Sequence, residues 1–299
     1  MPPSAPVPSR PLVRDRSADE RRTAGLLDAA RAAFGTRVLA VRADAAPVRG
    51  DALVGVPVSA LDEVLEWAFL GRGPAGEAVL LAVVPDEADI ALPPDAAWSR
   101  LREIGGDLVE SDASILRTAV ALAGWLRDAP FCPACGTRTL TRDAGWARHC
   151  PGCGREHFPR TDPAVIVLVV SEDGGRVLLG ANAAWGGARY SCFAGFAEAG
   201  ESLEEAVARE VAEEANVVLR DVEYRGSQVW PYPRSLMLGF RARVEHDADA
   251  REDGEEIVEV RWFTRDELGA AMRGESGLQL PGPASIARRL IDDWYEETR

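Results

Sequence analysis

Apolar residues fall in two rhythms along this chain. Short runs rich in Val, Leu and Ala, bounded by Gly, Pro or acidic residues, predict strands. These are RVLAVR, ALVGVPV and AVLLAVV in the first hundred residues, then AVIVLVV and RVLLGAN, joined by an EDGG turn as a hairpin. SQVWPYP, SLMLGFRARV and EEIVEVRWF continue the strand-like pattern. Longer segments repeat their apolar positions every three or four residues and predict helices. These are LDEVLEWAFL, SDASILRTAVALAGWLRDA, the glutamate-rich SLEEAVAREVAEEA, TRDELGAAM and ASIARRLIDDWYEE. Ser111 or Asp112 is the expected cap of the second helix. Ser202 with Glu205, and Thr264 with Glu267, have the spacing of capping boxes.

The alternation of strands and helices predicts a mixed α/β (α+β) chain in four parts. Residues 1–21 are Pro-rich and read as a disordered tail. Residues 22–128 read as a small α/β domain, 129–160 as a compact cysteine module, and 161–299 as a second α/β domain. No apolar run is long enough for a membrane, and the N-terminus lacks the apolar core of a signal peptide. A cytoplasmic location is expected.

Charge and composition remove several chemistries. The net charge is −14, which disfavours a bare polyanion such as duplex DNA. An anionic substrate stays compatible with this charge if metal ions mediate the contact. All 34 basic residues are arginine, so Schiff-base lysine chemistry and the P-loop lysine are excluded.

Four of the five cysteines, Cys132, Cys135, Cys150 and Cys153, form C-x2-C-x14-C-x2-C. In a chain without a secretory signal this spacing points to metal rather than to disulfides. Four thiolates make a closed tetrahedral zinc site with no open position, so the zinc is expected to be structural. Arg138, Arg142, Arg148, Arg155 and Arg160 leave nucleic-acid binding by this module open. Cys192 stands alone and reads as a buried small apolar residue.

The glutamate-rich helix carries the chemistry. Each helical residue turns by roughly 100°, and angles are counted from Leu203. Val207 then falls at about 40°, Val211 at about 80° and Ala206 at about 300°, which defines the buried face. Glu204 falls at about 100° and Glu205 at about 200°, toward solvent. Glu210 falls at about 340°, Glu214 at about 20° and Glu213 at about 280°. Glu210 and Glu214 therefore continue the inward stripe. Inward carboxylates need a cation, Arg209 lies off that stripe, and hard oxygen ligands suit Mg²⁺ or Mn²⁺. The alternative, an exposed acidic helix end, accounts for Glu204 and Glu205 but poorly for Glu210 and Glu214.

This stretch resembles the box of the Nudix hydrolases, G-x5-E-x7-R-E-U-x-E-E-x-G-U with U apolar. Gly195, Glu201, Arg209, Glu210, Val211, Glu213, Glu214 and Val217 match. Asn216 replaces the last Gly, a mild departure because Asn tolerates a left-handed helix end. The resemblance implies water attack on a diphosphate, with catalytic Glu210, Glu213 and Glu214 holding the metals. It also implies that Glu201 and Arg209 brace the box structurally with Gly195.

A second segment narrows the substrate. SQVWPYPRS resembles the S-Q-P-W-P-F-P-x-S array of NADH pyrophosphatases of the NudC type, with Val229 for a proline and Tyr232 for phenylalanine. That family also carries a zinc ribbon between an N-terminal Nudix-like domain and a C-terminal Nudix α/β/α sandwich. The resemblance implies substrate contacts from Phe158, Phe196, Gln228, Val229, Trp230, Pro231, Tyr232, Pro233, Arg234, Ser235 and Ala287. It adds the Ala194 carbonyl and Glu256 to the metal ligands. Gly145 stands where some members have a substrate-contacting glutamate. The expected function is hydrolysis of NAD(H) to NMN(H) and AMP by a homodimer, with removal of NAD caps from RNA as the same cleavage. Alternatives are another diphosphate such as ADP-ribose, or a non-catalytic nucleotide- or RNA-binding protein.

Overall fold

The computed structural model describes residues 12–186 and 188–297. It divides into two compact units, residues 1–160 with Pro231–Pro233, and 161–230 with 234–299. No helix among the described residues is long and apolar enough to cross a membrane.

The first unit begins earlier than the sequence pattern suggests. Residues 1–11 of the expected tail lie outside the described residues. From Leu12 onward the chain is placed: Leu12 is buried, Asp15 bridges to Arg72, and Ala18–Arg22 forms a 3-10 turn. One apolar side chain and one strand-edge pairing are enough to fix a Pro-rich segment that composition assigns to a tail.

Helix α1 (Leu26–Ala32) precedes strands β1 (Arg37–Val41), β2 (Ala45–Arg49), β3 (Ala52–Leu53), β4 (Glu66–Arg72), β5 (Ala78–Val83) and β6 (Ala97–Arg100). Helices α2 (Leu101–Ile104) and α3 (Glu110–Asp128) follow. They form two three-stranded sheets, β1-β5-β4 and β3-β2-β6. Three sequence expectations fail here. LDEVLEWAFL is not a helix: its second half is β4, antiparallel to β5. Ala68 and Leu70 enter one core while Trp67 and Phe69 enter another. A strand buried on both faces leaves a continuous apolar run that periodicity alone cannot separate from a helix. ALVGVPV keeps only two strand residues, because Gly55 and Pro57 break the ladder before the Val58–Ala60 turn. Helix α3 starts at Glu110 with no side-chain cap. Asp112 is fully buried and instead accepts the backbone N–H groups of Leu12 (3.0 Å) and Leu53 (2.8 Å). Its charge-assisted bonds tie α3 to two distant segments.

The cysteine module closes this unit with a small antiparallel sheet of β7 (Leu140–Arg142), β8 (Ala147–His149) and β9 (Glu156–His157). Arg148 on β8 is buried, and donates to Glu66 Oε1 (2.7 Å) and to the Leu126 carbonyl (2.6 Å). It is an internal clamp and belongs to no surface. Gly145 has φ 94° and a Cβ there would lie 2.3 Å from Ala68 Cβ, so no larger side chain fits.

The second unit is built on β10 (Asp162–Val170), β11 (Arg176–Asn182), β12 (Phe193–Phe196), helix α4 (Leu203–Ala215), β13 (Leu219–Trp230), β14 (Ser235–Val244), β15 (Ile257–Thr264), and helices α5 (Arg265–Met272) and α6 (Ile286–Glu296). The strand order is β13-β14-β10-β11-β15. β10 is parallel to β14, and its other edge is shared: β12 pairs with residues 164–167 and β11 with 169–170. Val165, Val167 and Val169 join the core under α4, while Ile166, Leu168 and Val170 join the core under α5 and α6. Period-two alternation into two cores explains why AVIVLVV shows no polar face. Each such side chain contributes about 1.5–3 kcal/mol on burial, which fixes the register of the strands carrying the site.

Candidate active site and metal centres

The sulfur cluster is formed by local turns. Cys132 Sγ lies 3.7 Å from Cys153 Sγ, and Cys135 Sγ lies 3.4 Å from Cys150 Sγ. All four ligand atoms fall within 4.8 Å of one another, and none of the five cysteines is disulfide-bonded. A tetrahedral zinc with bonds of about 2.3 Å spaces its sulfurs about 3.8 Å apart. The Thr137 hydroxyl and N–H lower the Cys135 pKa to about 6. At Cys153 the Arg155 N–H favours the thiolate, but burial and the other sulfurs outweigh it and raise the pKa to about 11. Four sulfurs so close together cannot all ionise without a cation, and the set fits zinc.

The glutamate site starts from α4. Ser202 and Glu205 form the reciprocal capping box. Ala206, Val207 and Val211 are buried against the sheet, and Glu214 is buried with them. Asn216 ends the helix in the left-handed region, φ 54°. Glu204 and Glu205 are exposed, Glu213 is exposed, and Glu210 is half-buried.

β12 passes directly over this helix face. A Cβ at Gly195 would lie 1.9 Å from the Glu210 carboxyl carbon, so only glycine lets that carboxylate reach the strand. The Ala194 N–H donates to the Glu214 carboxylate. Glu214 Oε2 is buried with no hydrogen-bond partner. Burial, then Glu256 and Glu210, raises the Glu214 pKa to about 8. A buried carboxylate with one unpartnered oxygen, facing two further carboxylates, fits a divalent cation.

Arginine holds the rest of the box. Arg209 Nη2 donates to Glu201 Oε1 (2.6 Å) and to the Phe196 carbonyl (2.9 Å), and its Nη1 donates to Glu210 Oε1 (2.9 Å) and Glu213 Oε2 (3.4 Å). Glu201 Oε1 also accepts the Glu198 N–H at 2.7 Å. The loop from Phe196 to Glu201 is thereby tied to α4.

Glu256 comes from the loop before β15. Asp253 Oδ1 accepts the N–H groups of Glu255, Glu256 and Ile257 at 2.8, 3.1 and 3.0 Å. Asn182 Nδ2 donates to Glu256 Oε1 at 3.3 Å. Neither Asp253 nor Asn182 stands out in the sequence; an Asp four residues before a strand is a weak signal of such a turn.

The proposed substrate residues divide by surroundings. Phe158 and Phe196 are exposed, at 56% and 55%. Val229 and Trp230 are exposed at the end of β13. Gln228 is engaged: its Nε2 donates to the Ala284 carbonyl (2.6 Å) and its Oε1 accepts the Ile286 N–H (2.7 Å), fixing the start of α6. Arg234 pairs with Asp162 at 2.7 Å. Ser235 and Ala287 are buried, and Pro231 is buried while Pro233 is exposed. Tyr232 lies under the Arg102 guanidinium, 4.4 Å from it, and burial raises its pKa to about 12. Cys192 is buried and its thiol is raised to about 12 by desolvation.

Comparison with known proteins bears on this arrangement. Residues 160–280 match the NUDIX domain, and residues 127–158 match the NADH pyrophosphatase zinc ribbon domain. The NAD-capped RNA hydrolase NudC of Mycobacterium tuberculosis (strain H37Rv) is 42% identical over 256 residues, 82% of this chain and 80% of that protein. This chain is a Nudix hydrolase of the NudC family. The NAD-capped RNA hydrolase NudC of Pseudomonas aeruginosa (strain PAO1) is 42% identical over 202 residues, 67% of each chain. Among solved structures, a NUDIX hydrolase from Nitrosomonas europaea is 27% identical and covers 50% of this chain and 96% of its own, with a TM-score of 0.36. A zinc ribbon and a Nudix domain thus lie in sequence in this member of the NudC family.

Proposed function

We propose that this chain hydrolyses the diphosphate of NAD(H), giving NMN(H) and AMP, and by the same cleavage removes NAD from RNA 5′ ends. The observation that carries the reading is the buried, unpartnered Glu214 oxygen, on a carboxylate that lies in the field of Glu256 and Glu210 and accepts from Ala194. Glu210, Glu213, Glu214, Glu256 and the Ala194 carbonyl would hold Mg²⁺ or Mn²⁺. When bound, the metal screens the phosphate charge and lowers the pKa of water. The catalytic carboxylates of Glu210, Glu213 and Glu214 orient the attacking water, and one of the three accepts its proton. One phosphorus–oxygen bond forms to that water, and the bond to the bridging oxygen breaks. Arg209 keeps Glu210 turned toward β12 and holds the loop from Phe196 through Glu201.

Phe158, Phe196 and Trp230 supply exposed aromatic faces suited to a flat base, each contributing about 1–3 kcal/mol by stacking, whereas the Tyr232 ring is covered by Arg102. Gln228 acts by fixing the start of α6, and with it Ala287. Val229, Pro231, Pro233, Arg234 and Ser235 shape the turn between β13 and β14. The division into residues 22–128, 129–160 and 161–299 is the working domain assignment, with the ribbon's zinc structural. A homodimer in the cytoplasm is the working state.

The test is product identification by mass spectrometry. Purified protein with Mg²⁺ or Mn²⁺ meets NADH, NAD, ADP-ribose and NAD-initiated RNA in parallel. NMNH with AMP is expected, and is lost in Glu210→Gln. Cleavage of ADP-ribose with the dinucleotides untouched would overturn the substrate assignment, and binding without turnover would overturn the enzyme.

A further inference from the structure

The first unit contains a cavity of about 560 Å³ that the proposed reaction does not use. Its volume lies in the range of roughly 300–1,000 Å³ that ligand pockets occupy. Four arginines line it, Arg21, Arg22, Arg31 and Arg142, against two carboxylates, Asp28 and Asp143. In a chain of net charge −14 this is a local excess of positive charge. Arg31 pairs with Asp28, and Arg22 reaches Asp143 only at 3.8 Å. Among the described residues, Arg21 and Arg142 make no ion pair.

Arg21 is held in an unusual state. Its guanidinium lies 3.6 Å from the Trp146 ring centre, and the Trp146 indole N–H is fixed to the Phe69 carbonyl at 2.8 Å. The Arg21 Nε is buried without a partner. Desolvation, then the nearby Arg16, lowers its pKa. A desolvated guanidinium without a counter-charge gains from an anion, most from a phosphate that matches its fork. A second indole, Trp67, lines the same wall half-buried, with the Arg31 guanidinium 5.5 Å from its ring centre. Arginine forks beside an aromatic face suit a phosphate carrying a base.

We propose that this cavity is a second nucleotide-phosphate site, taking either a phosphodiester-linked single strand or a free nucleotide. The strand form rests on the NAD-RNA reading above; the cavity does not. The arginines fork the phosphate and Trp67 receives the base.

The full-length chain tests this by fluorescence anisotropy with two probes. One is a short fluorescein-labelled single-stranded RNA with a 5′-hydroxyl and no NAD, the other a fluorescent ATP analogue. The wild type is expected to bind at least one. Arg21→Gln and Arg142→Glu are each expected to weaken that binding about tenfold, with kcat and KM for NADH unchanged. For a strand, each substitution also lowers the salt slope of log K by about one. Binding of the RNA selects the strand form, and binding of the ATP analogue alone selects the free nucleotide. Arg142 is exposed, so its variant carries the test even if Arg21→Gln fails to fold. Binding of neither probe, or unchanged affinity in Arg142→Glu, would overturn the proposal. Wild-type protein that leaves NADH intact but binds a probe through Arg142 would sink the substrate reading and leave the cavity standing.

Discussion

The thiol cluster and the glutamate cluster differ in how far the polypeptide alone assembles them. The four thiols of the ribbon stand with all ligand atoms within 4.8 Å. Among the described residues the glutamates form no such set; Glu210 accepts from Arg209 and Glu256 from Asn182. The contrast follows from ligand chemistry. Cysteine side chains are short, and tight turns with glycine at positive φ, Gly136 and Gly154, place each pair. A closed sulfur site is part of the fold. Glutamates are longer, and a site that must admit substrate and water keeps some of its ligands on movable partners. The ribbon is a structural weld, and the glutamate site an open one.

The hardest test of the weld is Cys150→Ser. Structural zinc contributes on the order of 10 kcal/mol to a folded ribbon. Loss of one ligand should abolish stoichiometric zinc, read by elemental analysis, and lower the melting temperature by ~10 °C or more. The Nudix glutamates should not rescue it when Mg²⁺ is added. Full retention of zinc and of melting temperature would mean the fold does not depend on the cluster.

Gly195→Ala probes the open site. The new Cβ meets the end of the Glu210 side chain, which can swing away, rather than backbone. Stability should therefore change little, while displacement of the carboxylate should cut kcat by about 10²–10³-fold, the size of losing one positioned electrostatic group. Steady-state kinetics beside a thermal melt separate the two. A variant with normal kcat would show that Glu210 needs no approach to β12.

Local signals made much of the site legible in sequence. Both capping boxes appear where Ser202–Glu205 and Thr264–Glu267 are spaced for them. Helical arithmetic turned Glu214 inward, and it is buried, because every α4 position is set by its distance from Leu203. Tertiary context hid the rest. Residues 61–70 read as helix because both faces of β4, which begins within them, are covered. β13 runs back to Leu219, before the Ser227 start that the motif suggested, since its polar outer positions carry no apolar signal. Asp112 read as a cap although its partners, Leu12 and Leu53, lie far away in sequence. Asp253 and Asn182 hold Glu256 through bonds that no spacing rule contains.

The smallest effect is a pH slope, and it concerns the protein stripped of metal by a chelator. Glu214 titrates near 8 in the fold, against 4.5 as its ordinary value. The folded chain therefore holds a proton there that the unfolded chain has lost, across the window between those two values. Stability favours the fold below about pH 4.5, declines as pH rises toward 8, and is flat with respect to this group above it. The decline should reach roughly 2 kcal/mol after allowance for water reaching the site. Denaturant melts of wild type and Glu214→Gln between pH 5 and 8 isolate Glu214 together with its coupling to Glu256 and Glu210, since the titrating groups away from it cancel in the difference. Added Mn²⁺ should oppose the slope, because a cation stabilises the ionised carboxylate and so binds more tightly as pH rises. Parallel profiles for the two proteins would mean that Glu214 ionises freely without metal. The open site would then lack the electrostatic stress that sets it apart from the weld.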